Sequence, residues 1–350
     1  MASFNMEYYL PIIVMVLIQF IYSGMTLGTR IALVDGMSPR VFVVYRCAFA
    51  TIFLAPIAYF SSRRNSTSYS LNLRSFFLIF LTALIGITIN QNLYFEGLYL
   101  SSSSISSAMT NLVPAVTLVI GAFTRMEKMN IRSLRTIAKV LGTMICVSGA
   151  ICISLLKGQK LLNADNLPPK SILESDENWL LGCLFLFGGC VAWSIWLILQ
   201  VPAYASHPNS LSLSTWMCLM ATLQSSLVTL FMEPDLNSWK ITSLLQFGCV
   251  LYSGIMGSGV TFYLQAWCIS RRGPFFSAMF SPLLTLIVTI LATLWLHEEI
   301  YIGSLIGAIG VIIGLYVVLW GKAEDLVDVK TENYGKIYCK TDLEDPLLHN

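Results

Sequence analysis

The 350-residue sequence predicts an all-α membrane protein of ten transmembrane helices, arranged as two inverted five-helix repeats. Three observations predict it. First, 56% of residues are hydrophobic and only 11% charged, too little polar surface to cover a soluble domain of this length. Second, the apolar residues gather into ten runs near the ~20 residues a helix needs to cross a hydrocarbon core. Third, the last five runs read as a second copy of the first five. Five is odd, so the second copy enters the membrane upside down, an arrangement used by solute transporters. The runs are continuous rather than alternating, which excludes a β-barrel.

The first span, Tyr8–Leu27, lacks the basic flank and small-residue cleavage site of a signal peptide and is expected to remain in the mature chain. Pro39–Phe60 follows and carries Arg46. Ser75–Phe95 ends in a polar stretch holding Asn90, Gln91, Asn92 and, just beyond, Glu96. Ile105–Thr124 contains Asn111 and Pro114, and Ile137–Leu156 contains Gly142 and Gly149. Residues 1–156 thus form the first repeat. Residues 157–178 are polar with a Pro168-Pro169 pair and read as an extracytoplasmic linker. The second repeat, 179–321, comprises Trp179–Leu199, Leu213–Met232, Leu244–Trp267, Phe275–Leu296 and Tyr301–Trp320. Residues 322–350 are charged and predict a disordered cytoplasmic tail.

Matched residues support the doubling over three consecutive helix pairs. Tyr94-Phe95-Glu96 matches Tyr263-Leu264-Gln265, and Ser107-Ala108-Met109 matches Ser277-Ala278-Met279. Pro114 and Thr117 match Pro282 and Thr285, while Gly142 and Gly149 match Gly307 and Gly314.

Orientation follows from the basic residues. With a cytoplasmic N-terminus, the inner loops hold Arg63, Arg64, Arg74, Arg125, Lys128, Arg132, Arg135, Arg271 and Arg272, with four more lysines in the tail. The outer loops hold only Arg30, Arg40, Lys157, Lys160, Lys170 and Lys240. Both termini are therefore expected inside, and the Asn65-Ser66-Thr67 sequon is expected to stay unglycosylated.

Net charge is +2, so no basic field points to nucleic acid. Eight of the nine cysteines lie in apolar runs and read as small buried or lipid-facing residues. The three histidines are scattered, so no His-based metal site is visible. No P-loop is present, and Gly257-Ser258-Gly259 has no histidine in any span to activate its serine. Neither an enzyme nor a cofactor is expected.

Polar groups within the bilayer are costly and are functional candidates by default. Arg46 lies about seven residues into its span, roughly 10 Å from the outer end. Its guanidinium could hold a solute carboxylate bidentately; the plainer alternative is a pair with Glu96 or snorkelling to the headgroups. Asn92, Glu96 and Asn111 join it in the first repeat, Tyr263 and Gln265 in the second. Trp193, Trp196 and Tyr263 could wall a pocket, with core or lipid-facing roles the alternative. Pro114 and Pro282 read as matched kinks inside helices, freeing a carbonyl one turn earlier. Gly303, Gly307, Gly310 and Gly314 form two GxxxG steps that suit packing between the repeats, with a homodimer face as the alternative. Glu127 and Glu298 are placed to favour helix N-termini.

Several stretches together resemble a known family. They are Val44-Tyr45-Arg46, Gln91-Asn92-Leu93-Tyr94-Phe95-Glu96-Gly97, Asn111-Leu112-Val113-Pro114-Ala115, Trp193-Ser194-Ile195-Trp196, Arg272-Gly273-Pro274-Phe275 and Leu319-Trp320-Gly321-Lys322. The chain is similar to plant drug/metabolite transporters of the nodulin-21-like, WAT1-related group, also described as amino-acid facilitators. One departure is Ser281, where the family pattern usually has Asn. The resemblance implies two EamA-type five-helix repeats and movement of amino acids, auxin or related small solutes across a plasma or vacuolar membrane. The expected partners are thus a small-molecule solute and the lipid bilayer. The expected mechanism is alternating access, as a bidirectional facilitator for amino acids. The alternatives are a proton-coupled auxin or metabolite transporter, or a non-transporting receptor or assembly subunit.

Overall fold

A computed structural model describes residues 2–64, 72–100, 103–127, 133–155, 179–296, 303 and 305–322. The sequon, the repeat linker, Glu298 and the tail after Lys322 lie outside the described residues. Those described are mostly helical and carry no strand. The long helices are α1 (Ala2–Val34), α2 (Pro39–Arg64), α7 (Leu134–Leu155), α8 (Trp179–Ser206) and α9 (Ser210–Met232). A final helix, α14 (Leu305–Lys322), ends the described chain. Among the described residues nine helical segments are long and apolar enough to cross a membrane, and the fourth sequence run holds a shorter apolar stretch, Ala108–Phe123.

The remaining runs are composite. α3 (Leu73–Ala83) passes through a π-helical stretch, Leu84–Ile89, into α4 (Asn90–Leu100). α10 (Leu244–Gly254) passes through Ile255–Val260 into α11 (Thr261–Arg272) in the same way. Each π stretch spans 6 residues and follows an 11-residue α-helix. The runs around Asn111 and Phe280 also match. α5 (Ser103–Thr110) stops before α6 (Val113–Phe123), and α12 (Pro274–Ala278) stops before α13 (Ser281–Leu296). Pro114 and Pro282 are therefore not kinks inside continuous helices. Each lies at the start of a new segment after a break, where proline's missing N–H costs nothing.

Packing carries the same two-fold pattern. α2 lies along α9. The contact of α4 with α8 has its counterpart in α1 with α10 and α11. That of α6 with α8 is mirrored by α13 with α1, and that of α3 with α9 by α10 with α2. The two halves interlock rather than sitting side by side. α7 and α14 meet through glycines: a Cβ on Gly149 would stand 2.8 Å from the Gly307 oxygen and 3.0 Å from the Gly310 carbonyl carbon. One on Gly142 would stand 2.9 Å from the Gly314 oxygen. These glycine faces are filled from within the chain, and Gly303 is also buried. Outward surfaces are apolar, with Leu223, Leu227, Leu230 and Phe231 on α9 all more than half exposed, as lipid-facing helices require.

Candidate functional site

Two π stretches in matched positions focus attention on the centre of the bundle. A π turn inserts one residue into the i→i−4 ladder, so backbone groups shift out of register, frequently where function needs them. In the first half, Asn92 Nδ2 donates to the displaced Thr88 carbonyl at 2.7 Å. Thr88 Oγ1 donates to Gln224 Oε1 of α9 at 3.2 Å, and Asn90 Nδ2 donates to the Gly189 carbonyl of α8 at 2.8 Å. Both stretches carry a central glycine closely covered by the opposite half. A Cβ on Gly86 would stand 2.7 Å from Trp196 Cβ, and one on Gly257 would stand 2.5 Å from Met25 Sδ.

A cleft opens at the end of the bundle that carries the α1–α2 turn. It is narrow, with an inner volume of about 10 Å³, room for about one water, and it is lined by Arg40, Val43, Gln91, Asn92, Phe95, Ser225 and Thr229 from α2, α4 and α9. Arg40 spans its rim, 3.2 Å from Glu96 Oε2 and 3.4 Å from Glu233 Oε1. Ser38 donates to the same Glu233 oxygen at 2.6 Å. Within the cleft wall, Ser225 is 4% exposed and its hydroxyl has no partner.

One turn below Val43 lies Arg46, 5% exposed. Its Nη1 lies 3.8 Å from Met25 Sδ, the Cys47 thiol lies beside it, and its Nε has no partner. Thioether sulfur is a weak acceptor. No carboxylate among the described residues lies within ion-pair distance. Glu96, the partner considered from sequence, is taken by Arg40, and burial rules out snorkelling. Around it, Tyr22 donates to Gln265 Oε1 at 3.0 Å, and Gln265 Nε2 donates to Ser277 Oγ at 3.0 Å. This chain links α1, α11 and α12 beside the guanidinium. An unpaired guanidinium away from water costs ~2.5–3.5 kcal/mol or more at mid-membrane depth. A counter-anion would offset that cost.

The remaining sequence candidates fall in three places. Asn111, fully buried at the α5–α6 break, accepts from Thr285 of α13 at 2.7 Å and donates to the Ala150 carbonyl at 3.4 Å. It joins the two broken runs and is not placed with Arg46. Trp196 is fully buried beside Phe262, with ring centroids 5.3 Å apart. Tyr263 is 37% exposed and is not brought into the Arg46 cluster. Arg40 and Glu233 were missed because their signal is a contact between residues far apart in the chain. At the opposite end, Glu127 pairs with Lys139 at 3.5 Å and closely with Lys322, all three buried. This corrects the helix-terminus role expected for Glu127: it ties the α6–α7 loop to α7 and to the last turn of α14. His207, in the α8–α9 turn, is 2% exposed and lies 2.8 Å from Ser212 Oγ. Burial lowers its pKa below the ordinary histidine value. Among the described residues no group of three His, Cys, Asp or Glu is placed to hold a metal.

Comparison with known proteins fits this architecture. The family model described as the EamA-like transporter family matches residues 10–155 and again 180–320. A WAT1-related protein of Arabidopsis thaliana is 52% identical over 95% of each chain. The Arabidopsis protein WALLS ARE THIN 1 is 41% identical, over 89% of this chain and 83% of its own. A solved crystal structure only 16% identical superposes with a TM-score of 0.67, over 87% of this chain and 96% of that one, and so speaks to the fold alone. An all-α bundle with matched π turns, matched breaks and a doubled family signature is an integral, multi-pass membrane protein, and the chain belongs to the EamA-like transporter family, among its WAT1-related plant members.

Proposed function

We propose that the protein carries small organic carboxylates across its membrane, amino acids foremost, with Arg46 as the carboxylate anchor. The observation that carries this reading is the buried guanidinium without a counter-ion, one turn below a narrow cleft. A solute carboxylate would supply the missing partner, and charge-assisted bidentate geometry favours Arg for that task. Asn92 would line the approach, Glu96 would hold Arg40 at the rim, and Tyr22 and Gln265 would stiffen the far wall. Asn111 would keep the two broken helices in register. Pro114 and Pro282 start segments that would pivot as the halves alternate access. Under the positive-charge rule the cleft end is extracytoplasmic and both termini are cytoplasmic; the plasma membrane is the proposed location. Transport is proposed to be facilitative, since the described interior offers Arg46 no carboxylate to exchange protons with.

The test is uptake of radiolabelled amino acids and indole-3-acetate into proteoliposomes, with and without a pH gradient. Saturable amino-acid flux without a gradient supports the reading. Flux only with a gradient would replace facilitation by proton coupling, and no flux of either carboxylate would overturn the transport reading.

A further inference from the structure

At the cleft end, the segment 233–246 that runs from α9 into α10 is fastened to the α1–α2 hairpin at three points. At its start, Glu233 Oε1 accepts from Ser38 at 2.6 Å and from Arg40 at 3.4 Å. In its middle, the Tyr45 hydroxyl donates to the Trp239 carbonyl at 2.6 Å, and the two rings meet edge-on with centroids 6.2 Å apart. At its end, Ser243 donates to Asp35 Oδ2 at 2.6 Å, and Gln246 Nε2 donates to the Asp35 carbonyl at 2.8 Å. α2 also lies along α9, and α1 along α10. Bonds spread over turn, loop and helix make these parts one body.

A second body faces it across the cleft. α4 lies along α8, and their backbones touch through glycine. A Cβ on Gly97 would stand 2.9 Å from the Leu186 nitrogen and 3.0 Å from the Gly182 oxygen. The ion pair that bridges the two bodies is Arg40 to Glu96 at 3.2 Å, with side chains 27% and 44% exposed. Exposed ion pairs are weak and are screened by salt. Deeper in the bundle the tie is firmer. α4 grows out of the π stretch Leu84–Ile89, where Thr88 donates to Gln224 of α9 and Gln224 donates to the Phe80 carbonyl, both at 3.2 Å. A π turn is a place where a helix bends.

We infer that the cleft end opens along one seam. The α1–α2 hairpin and the 233–246 segment move together away from the α4–α8 pair, with Arg40–Glu96 as the latch across the seam and the π stretch Leu84–Ile89 as its hinge. The narrow cleft is this seam when closed. Its walls divide accordingly, Ser225 and Thr229 on one side and Asn92 and Phe95 on the other. In hinged closure a few residues turn while packed bodies stay rigid. Each body draws on both repeats: α1 and α2 join α9 and α10, whereas α4 joins α8. Glu96 and Glu233 therefore differ in role although both hold Arg40. Glu96 must let go for the seam to part, and Glu233 travels with Arg40.

The inference rests on the alternating-access reading. Its test uses no transported solute, so an absent flux and an absent seam are told apart. Full-length protein in proteoliposomes carries Ser225→Cys, buried in the cleft wall, as the reporter. An impermeant thiol reagent is added from the cleft side, and labelling is read from the mass of the fragment holding residue 225. Thr229→Cys, one turn along, is the second reporter if the first is not monodisperse. Glu96→Gln should speed labelling ~3–5-fold, the population shift that one exposed ion pair can hold. Salt at about 1 M should speed it in the protein that keeps Glu96. A disulfide between Asp35→Cys and Ser243→Cys, within one body, should leave the rate within about twofold. A cleavable thiol cross-linker between Arg40→Cys and Glu96→Cys, across the seam, should stop labelling, and cleaving it should restore the rate. An unchanged rate in Glu96→Gln would overturn the latch. A disulfide at Asp35 and Ser243 that slows labelling as much as the cross-seam link would overturn the seam, because the 233–246 segment would then leave the hairpin during opening.

Discussion

Arg46 is the residue on which stability and the proposed function pull in opposite directions. Its guanidinium is buried, faces a thioether and has no counter-charge among the described residues. Replacing a buried, unpaired ion with a neutral group removes a desolvation cost. Arg46→Gln should therefore raise the unfolding temperature in detergent, or leave it unchanged, while cutting carboxylate uptake by ~10-fold or more, the loss of one charge-assisted pair. A fall in both would mean that Arg46 mainly supports packing. His207 gives a second prediction at this scale. Its pKa is lowered by burial, so the unfolded chain takes up the proton first. The stability this confers is present above the ordinary histidine value and is lost as pH falls below about 6.5. A scan of unfolding temperature against pH should show that loss, and His207→Gln should flatten it.

Among the elements, the paired π turns matter most. Gly86 and Gly257 occupy the same place in the two halves, but their coverings differ. A Cβ on Gly86 would meet Trp196 at its own Cβ, close to backbone that cannot move, whereas one on Gly257 meets the flexible end of Met25. Gly86→Ala should therefore cost ~1–3 kcal/mol, as overpacking of a filled core does, while Gly257→Ala should cost visibly less because a thioether adapts. Thermal unfolding of the two variants side by side checks the contrast. These turns were invisible in the sequence: Leu84–Ile89 is an ordinary apolar run, and Gly257-Ser258-Gly259 first suggests a nucleophile turn. By contrast, the GxxxG spacing pointed to the α7–α14 contact, because close backbone approach requires small residues wherever it occurs. Proline marked the sites of interruption correctly but not their form, since a kink and a fresh helix start share the same local chemistry.

For the whole molecule, the two ends are held by different chemistry. At the cleft end Arg40 is partly exposed between two carboxylates, with 27% of its side chain accessible. At the other end Glu127 binds Lys139 and Lys322 out of water, beside the Gly273 turn, whose φ of 85° favours glycine. The buried cluster joins three elements and should hold its end shut more firmly than the wet one. Glu127→Gln removes the shared counter-charge and should open that end. A cysteine placed at Thr143, 2% exposed on α7, should then react at least ~5-fold faster with an impermeant thiol reagent added from that side alone, as expected when one end of a two-state bundle is released. The bundle itself was legible because apolar run length is dictated by bilayer thickness. The ion pairs were not, because Arg40, Glu96 and Glu233 meet only after the halves interlock.

The unequal coverings of Gly86 and Gly257 have a kinetic consequence. A two-fold machine with identical joints would traverse its cycle at equal speed in both directions of tilt. If the two π turns flex in such a cycle, the one at Gly86 would work against the Trp196 indole and the one at Gly257 against the Met25 thioether, so unequal barriers are expected. The slower half-cycle should be the one in which Trp196 must slide past the glycine, and its activation enthalpy should set how steeply turnover rises with temperature.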